Sequence, residues 1–286
     1  MYVFSPPTFD PGPVATVIAL ALIAYMLLFP LLVRRVHVQA VKRPAGPAAP
    51  TPLSRLNRLS LVAGLLSVGA AAAFAATADG LIPAHVGLAG SAFLRWPLES
   101  VLPGAALPGV GLGFSVLVQV LVGALAALVL PVVLRAQRPA LAERLRSGLE
   151  HMNDPRTAAF VPRSTGEVRL AAAARAAAVL GSVAATYAVV VPLLTAGLGL
   201  PLWAVLVCVV ALDAVPALAL GKEAASQIAV VSALSAAGYL FVTGGMLVLP
   251  LLLWSWIAAV NLHPLSLLRR DPRTGVVGLV RRADHP

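Results

Sequence analysis

Residues 14–43 read VATVIALALIAYMLLFPLLVRRVHVQAVKR, an apolar run from Val14 to Val33 closed by Arg34 and Arg35 and followed by Lys42 and Arg43. A hydrocarbon core about 30 Å thick is crossed by about 20 helical residues. Helix is the natural spanning form because it satisfies its own backbone polar groups. The run therefore predicts a membrane-spanning helix, and the basic cluster behind it marks a cytoplasmic end.

Six more runs of this kind follow: Leu59 to Leu81, Leu112 to Leu134, Val168 to Leu194, Leu202 to Leu220, Ala225 to Val242 and Met246 to Leu262. Twenty of the 21 Lys and Arg residues fall in alternate connections, leaving Arg95 on the other side. This predicts an all-α, polytopic bundle of about seven spans, with the N-terminus outside and the C-terminus cytoplasmic. An odd number of crossings is consistent with ends on opposite faces. Thr243-Gly244-Gly245 reads as a tight external turn between spans six and seven. One long helix over 225–262 is the rival reading, but it places the basic tail outside.

Composition points the same way. The chain of 286 residues is 59% hydrophobic and 11% charged, with a mean hydropathy of +0.92, which excludes an ordinary soluble domain. The net charge of +10 sits in short connections flanking spans, where insertion bias and anionic lipid account for it, so nucleic acid is not an expected partner. Residues 1 to 13 hold no Lys or Arg, and the first run is too long for a signal-peptide core, so it reads as a retained span. The expected location is a bacterial-type cytoplasmic membrane. The single Cys208 has no intrachain partner and reads as a small apolar side chain.

The chain divides into a first span with a basic Pro/Ala linker (1–58), two spans with an external loop and a cytoplasmic helix (59–160), a four-span core (161–268) and a basic cytoplasmic tail (269–286). The linker, PAGPAAPTPL over 44–53, is too proline-rich to be helical throughout. The external loop, Ile82 to Gly111, carries four prolines and Trp96, which suits headgroup depth. Between Arg138 and Met152, Leu141, Leu145, Leu149 and Met152 recur at helical spacing with Glu143, Arg144, Arg146 and Glu150 on other faces. This predicts an amphipathic helix on the membrane surface, with a partner-binding helix as the alternative, ended by Asn153-Asp154-Pro155. Ala225, Ala229, Ala233 and Ala237, like Ala171, Ala174 and Ala178, let helix backbones approach closely.

Ionisable groups at membrane depth are few. Asp213 is the clear one, about 10 Å from the cytoplasmic end of span five, and Arg175 lies at matching depth in antiparallel span four. An ion pair that fixes helix register is the favoured expectation, and a relay or ligand site the alternative. The histidines His37, His85, His151, His263 and His285 stand in connections or at span ends, without metal-ligand spacing, so no metal and no cofactor are expected. Lys222 and Glu223 read as a solvated turn. The hydroxyls of Ser182, Thr186, Ser226, Ser232, Ser235 and Ser255 read as packing groups, because no intramembrane base stands ready to activate one. Trp203 fits an interfacial anchor, and Trp254 lies deep in span seven.

Pro162-Arg163-Ser164-Thr165-Gly166-Glu167, the Leu-Pro-Leu-Trp-Ala-Val at Leu200 to Val205, and Leu249-Pro250-Leu251-Leu252-Leu253 follow one another over about 100 residues. In that order they resemble the membrane core of the CPBP family, the CAAX-type prenyl proteases and bacteriocin-processing proteins. The resemblance implies a metal-dependent intramembrane endopeptidase built on a Glu-Glu pair with an Arg, a Phe-x-x-x-His, and a final His with Asn or Asp four residues on. By position these correspond to Ala184 and Ala185, to about Val189, to Asp213 and Ala217, and to Trp254 and Ala258. None of the catalytic residue types stands there. The expectation is a degenerate, non-proteolytic member that binds the bilayer and another membrane protein or hydrophobic peptide, near Ala184, Ala217 and Trp254. A permease or transporter subunit using Asp213 and Arg175 is the alternative, and an endopeptidase with unusual residues the third reading.

Overall fold

The apolar runs are helices in the computed structural model, which describes residues 11–42, 51–78, 110–242, 245 and 247–280. In chain order these are α1 (Gly12–Lys42), α2 (Pro52–Thr77), α3 (Val110–Ser147), α4 (Leu149–Met152), α5 (Pro155–Ala158), α6 (Thr165–Val183), α7 (Leu202–Ala217), α8 (Lys222–Ala237) and α9 (Val248–Leu267). A two-stranded antiparallel hairpin, β1 (Leu268–Arg270) with β2 (Val277–Leu279), closes the described chain. Among the described residues, six helical stretches are long and apolar enough to cross a membrane: Gly12–Gln39, Pro52–Thr77, Thr165–Gly197, Leu202–Leu220, Lys222–Val242 and Val248–Leu267. The run at 112–134 lies on α3, most of whose side chains before Val129 are outside the described residues. So do Trp96 and the external loop, most of the 44–53 linker, Thr243, Gly244 and residues 281–286.

The apolar runs 225–242 and 246–262 belong to separate helices. The first ends at Val242, the second begins at Val248, and Gly245 between them has φ +101°, a left-handed conformation that favours glycine. Large apolar side chains stay exposed along many of the spans, among them Val17, Leu28, Leu65, Leu66, Val207 and Val215. A lipid-facing surface explains such a display, whereas a water-facing one carries a large hydrophobic cost.

The chain forms two units, 1–31 with 66–127 and 180–254, and 32–65 with 128–179 and 255–286. In the first, Ala15, Ala19 and Leu22 of α1, Ala71, Phe74 and Ala78 of the α2 end, and Ala185, Val189 and Leu193 form one buried cluster. Small residues bring the backbones close around Phe74, which is fully buried. α7 and α8 pack against one another in the same unit, joined at Gly221 with φ +125°. Of the four-spaced alanines on α8 only Ala225 is buried. The inward face instead runs through Ser232, Ser235, Ala236 and Tyr239, because a 3.6-residue helix drifts off a strict four-residue stripe.

The second unit packs the stretch 138–152 together with the start of the expected tail. The stretch 138–152 is no separate surface helix: its first part continues α3 without a break, and α4 follows at Gly148. Its stripe is occupied within the protein. Leu145 is buried with Ala158, Val161, Leu267, Leu268 and Val277, and Leu141, Leu149, Met152 and Leu279 pack against them. Leu145 is thereby turned to the protein interior, with Leu141, Leu149 and Met152 half-buried around it. The expected tail, in turn, is folded into the hairpin through Val280, with Leu268 opposite Leu279 and Arg270 opposite Val277.

Side-chain amides and carboxylates fasten this unit. Asn153 ends α4, as its sequence predicts, and its Oδ1 accepts from the Val277 amide at 2.7 Å. The Arg270 amide donates to the Pro162 carbonyl at 3.0 Å. Pro162 to Glu167 contains an N-cap of capping-box sequence: Ser164 Oγ accepts from the Glu167 amide at 3.3 Å, while the Glu167 carboxylate reaches back one residue further, to Arg163. Glu167 also holds a second helix start. Its Oε1 accepts from Thr51 Oγ1 at 2.8 Å, its Oε2 accepts from the Arg163 amide at 2.7 Å, and Thr51 itself caps α2 by accepting from the Ser54 amide at 3.1 Å. The helix thus begins at Pro52, inside the expected linker.

Candidate functional site

In the first unit, helical segments widen where they bring polar side chains inward. α6 continues as a π-helix over Ala184–Val190 and again over Leu193–Gly197, and α8 continues as a π-helix over Gly238–Val242. Pro192 gives the physical reason in the first case. Its ring clashes with the carbonyl four residues back in an α-helix and it has no N–H to donate, so a wider turn relieves the strain. The Val191 amide bonds to the Thr186 carbonyl five residues back. In that register the donor owed to the Tyr187 carbonyl is residue 192, a proline.

Tyr187 and Tyr239, one from each widened segment, pack ring to ring with centroids 4.8 Å apart and planes at 50°. Both are fully buried. Ser232 and Ser235, one turn apart on α8, are buried as well. From α7, Asp213 Oδ2 accepts a hydrogen bond from Ser232 Oγ at 2.7 Å. Tyr187 Oη lies beside Ser235 Oγ and within range of the Asp213 charge. Neither hydroxyl has a hydrogen bond of acceptable geometry, and Thr186 Oγ1 on the same segment is also buried without a partner. Burying such a group unpaired costs about 1–3 kcal/mol. The result is one carboxylate with one hydroxyl donor, set among further oxygen atoms that have unused lone pairs.

The other residues singled out from the sequence lie elsewhere. Ala185 and Val189 face the apolar cluster around Phe74, and Ala184 packs against its edge. Ala217 is buried as the last residue of α7, while Trp254 and Ala258 are half-buried on α9. Arg175 belongs to the second unit, where its Nη1 is buried without a hydrogen-bond partner. Among the described residues neither Arg175 nor Asp213 is in an ion pair. Cys208 is a half-buried free thiol on α7, and Trp203 is exposed at the start of that helix. His37 stacks on Phe160 at 4.4 Å, and His263 Nε2 is buried without a partner. Among the described residues no three His, Cys, Asp or Glu side chains converge as metal ligands.

Tyr187 and Tyr239 carry no signal that sequence reasoning used. Each is a lone polar aromatic in an apolar run, and 51 intervening residues separate them. No family model matches the chain, and neither a curated protein nor a solved structure is significantly similar to it.

Proposed function

We propose that the chain is a multi-pass protein of a bacterial-type cytoplasmic membrane, with seven spans, the N-terminus outside and the C-terminus cytoplasmic. It binds a small polar or cationic solute at Asp213, as a permease or transporter subunit does. One observation carries this reading: a carboxylate inside a long apolar helix, hydrogen-bonded to Ser232, shares a buried cluster with Tyr187 and Ser235, whose hydroxyls make no hydrogen bond of good geometry. Ionisable groups inside spans are costly and mark ligand or ion pathways. Widened helix turns, which free backbone oxygens, commonly accompany them. The test is flux into proteoliposomes holding the purified chain, screened over small cations and polar solutes. Asp213→Asn abolishes flux on this reading, whereas flux that persists in the variant removes Asp213 from the pathway.

A second reading is that of a non-proteolytic relative of the CPBP proteases, binding a membrane protein or hydrophobic peptide. It is favoured by the position of Ala184 and Ala185, the counterparts of the family's Glu pair, at the opening of the π-helical segment. A photoreactive side chain at Trp254 captures a peptide or protein partner on this reading. Recovery of lipid alone counts against it.

A further inference from the structure

The Asp213 cluster is short of one positive charge and of partners for its oxygen atoms. Asp213 has a single hydrogen bond, from Ser232, and is in no ion pair among the described residues. A proton bound to the carboxylate supplies the charge but leaves the Tyr187 and Ser235 oxygens as they are. A bare cation supplies the charge and coordinates these oxygens, since carboxylate and hydroxyl oxygens are its natural ligands. The charge also sets the valence. One carboxylate balances a monovalent ion, whereas divalent sites gather several acidic oxygens. Size points the same way, because Tyr187, Ser232 and Ser235 are fully buried, and an ion needs less room among them than an organic ammonium.

The backbone adds a further ligand. With Val191 bonded to Thr186, the Tyr187 carbonyl has proline as its due donor, and carbonyls at such interrupted helix turns coordinate alkali ions at membrane depth.

We infer that this cluster is a binding site for one dehydrated monovalent cation, sodium being the probe, coordinated by Asp213, Ser232, Ser235 and Tyr187. The inference rests on the reading of Asp213 as a ligand site, but not on transport.

The experiment uses the full chain in nanodiscs, with sodium replacing choline at constant ionic strength. Thermal unfolding and 23Na relaxation are followed as sodium rises, with potassium and lithium in parallel. A saturable rise in Tm and a saturable relaxation change are expected. Both are lost in Asp213→Asn, and apparent affinity falls about tenfold or more in Tyr187→Phe, the loss of one oxygen ligand being on the order of 1.4 kcal/mol. If the Asn variant does not fold, Tyr187→Phe and Ser235→Ala carry the test, and unchanged affinity in both overturns the site. So does the absence of a saturable response to any of the three ions in the unaltered chain. Saturable sodium binding without solute flux keeps the site and removes the transport reading. Solute flux without a saturable response to sodium, potassium or lithium keeps transport and removes the cation.

Discussion

Tyr187 holds its hydroxyl in the core without a hydrogen bond, which makes its removal informative. In the ion-free protein, Tyr187→Phe deletes an unsatisfied polar atom and keeps the ring contact with Tyr239, so Tm stays level or rises, by the equivalent of about 1 kcal/mol. A loss of several degrees in the absence of added ions shows instead that the hydroxyl is satisfied. Asp271 is the opposite case, an exposed acid whose role is local. The Arg273 amide donates to Oδ1 at 2.7 Å and the Thr274 amide at 3.4 Å, holding the carboxyl below its ordinary 3.8. Because the folded value is depressed, the stabilisation is complete above 3.8 and disappears as pH falls through the lower folded value. Amide exchange at Gly275, whose N–H bonds to the Asp271 carbonyl at 2.8 Å, corrected for intrinsic rate, accelerates across that window. In Asp271→Ala it is fast at every pH. Asp-Pro-Arg-Thr-Gly is a legible turn, with an Asx acceptor first and a glycine at φ +74° last. The sequence expectation passed over it because the basic residues on either side dominated its reading as a tail.

At the scale of elements, close helix approach and shared caps decide stability. A Cβ on Gly64 of α2 would overlap the Ala177 carbonyl of α6, whereas one on Gly69, five residues on, meets nothing. Gly64→Val therefore reduces folded yield and Tm, with a cost of about 1–3 kcal/mol or more, since backbone yields less than a side chain. Gly69→Val is tolerated. Equal behaviour of the two in size-exclusion and melting assays removes the proposed α2–α6 contact. Glu167 joins the starts of the same two helices, so Glu167→Ala exposes or strands donors at both and lowers stability by about 1–2 kcal/mol. Thr51→Val removes only the α2 arm and costs less, as thermal unfolding of the pair shows. Ser164-Thr165-Gly166-Glu167 is readable as a capping box, but its bond to Thr51 is not, because that contact spans 116 residues.

For the whole molecule, the proposed topology places the α6–α7 connection outside and the hairpin in the cytoplasm. With Cys208 replaced by Ser, a cysteine at Leu198 reacts with a membrane-impermeant maleimide in intact cells. One at Thr274 reacts only after permeabilisation. The reverse pattern inverts the chain, and labelling of both or neither breaks the span count. Both positions are on the surface of the described structure, so access is set by the membrane rather than by packing.

Hydropathy is a property of each segment alone, which is why Val14–Val33 and most of the runs after it were legible, without their neighbours, as helices long and apolar enough to span. The break between Val242 and Val248 was legible for the same reason, from its glycines. Which face of a helix turns inward is not a segmental property. Along α8 a 3.6-residue helix drifts off a strict four-residue stripe, and the π-helical turn after Ala237 rotates the following face further, so the alanine spacing could not locate Ser232, Ser235 and Tyr239. Tertiary packing set those rotations and brought Tyr187 of one widened helix against Tyr239 of another. It also gave Asp213 a serine as its partner and folded the basic tail onto the stripe that the sequence had assigned to lipid.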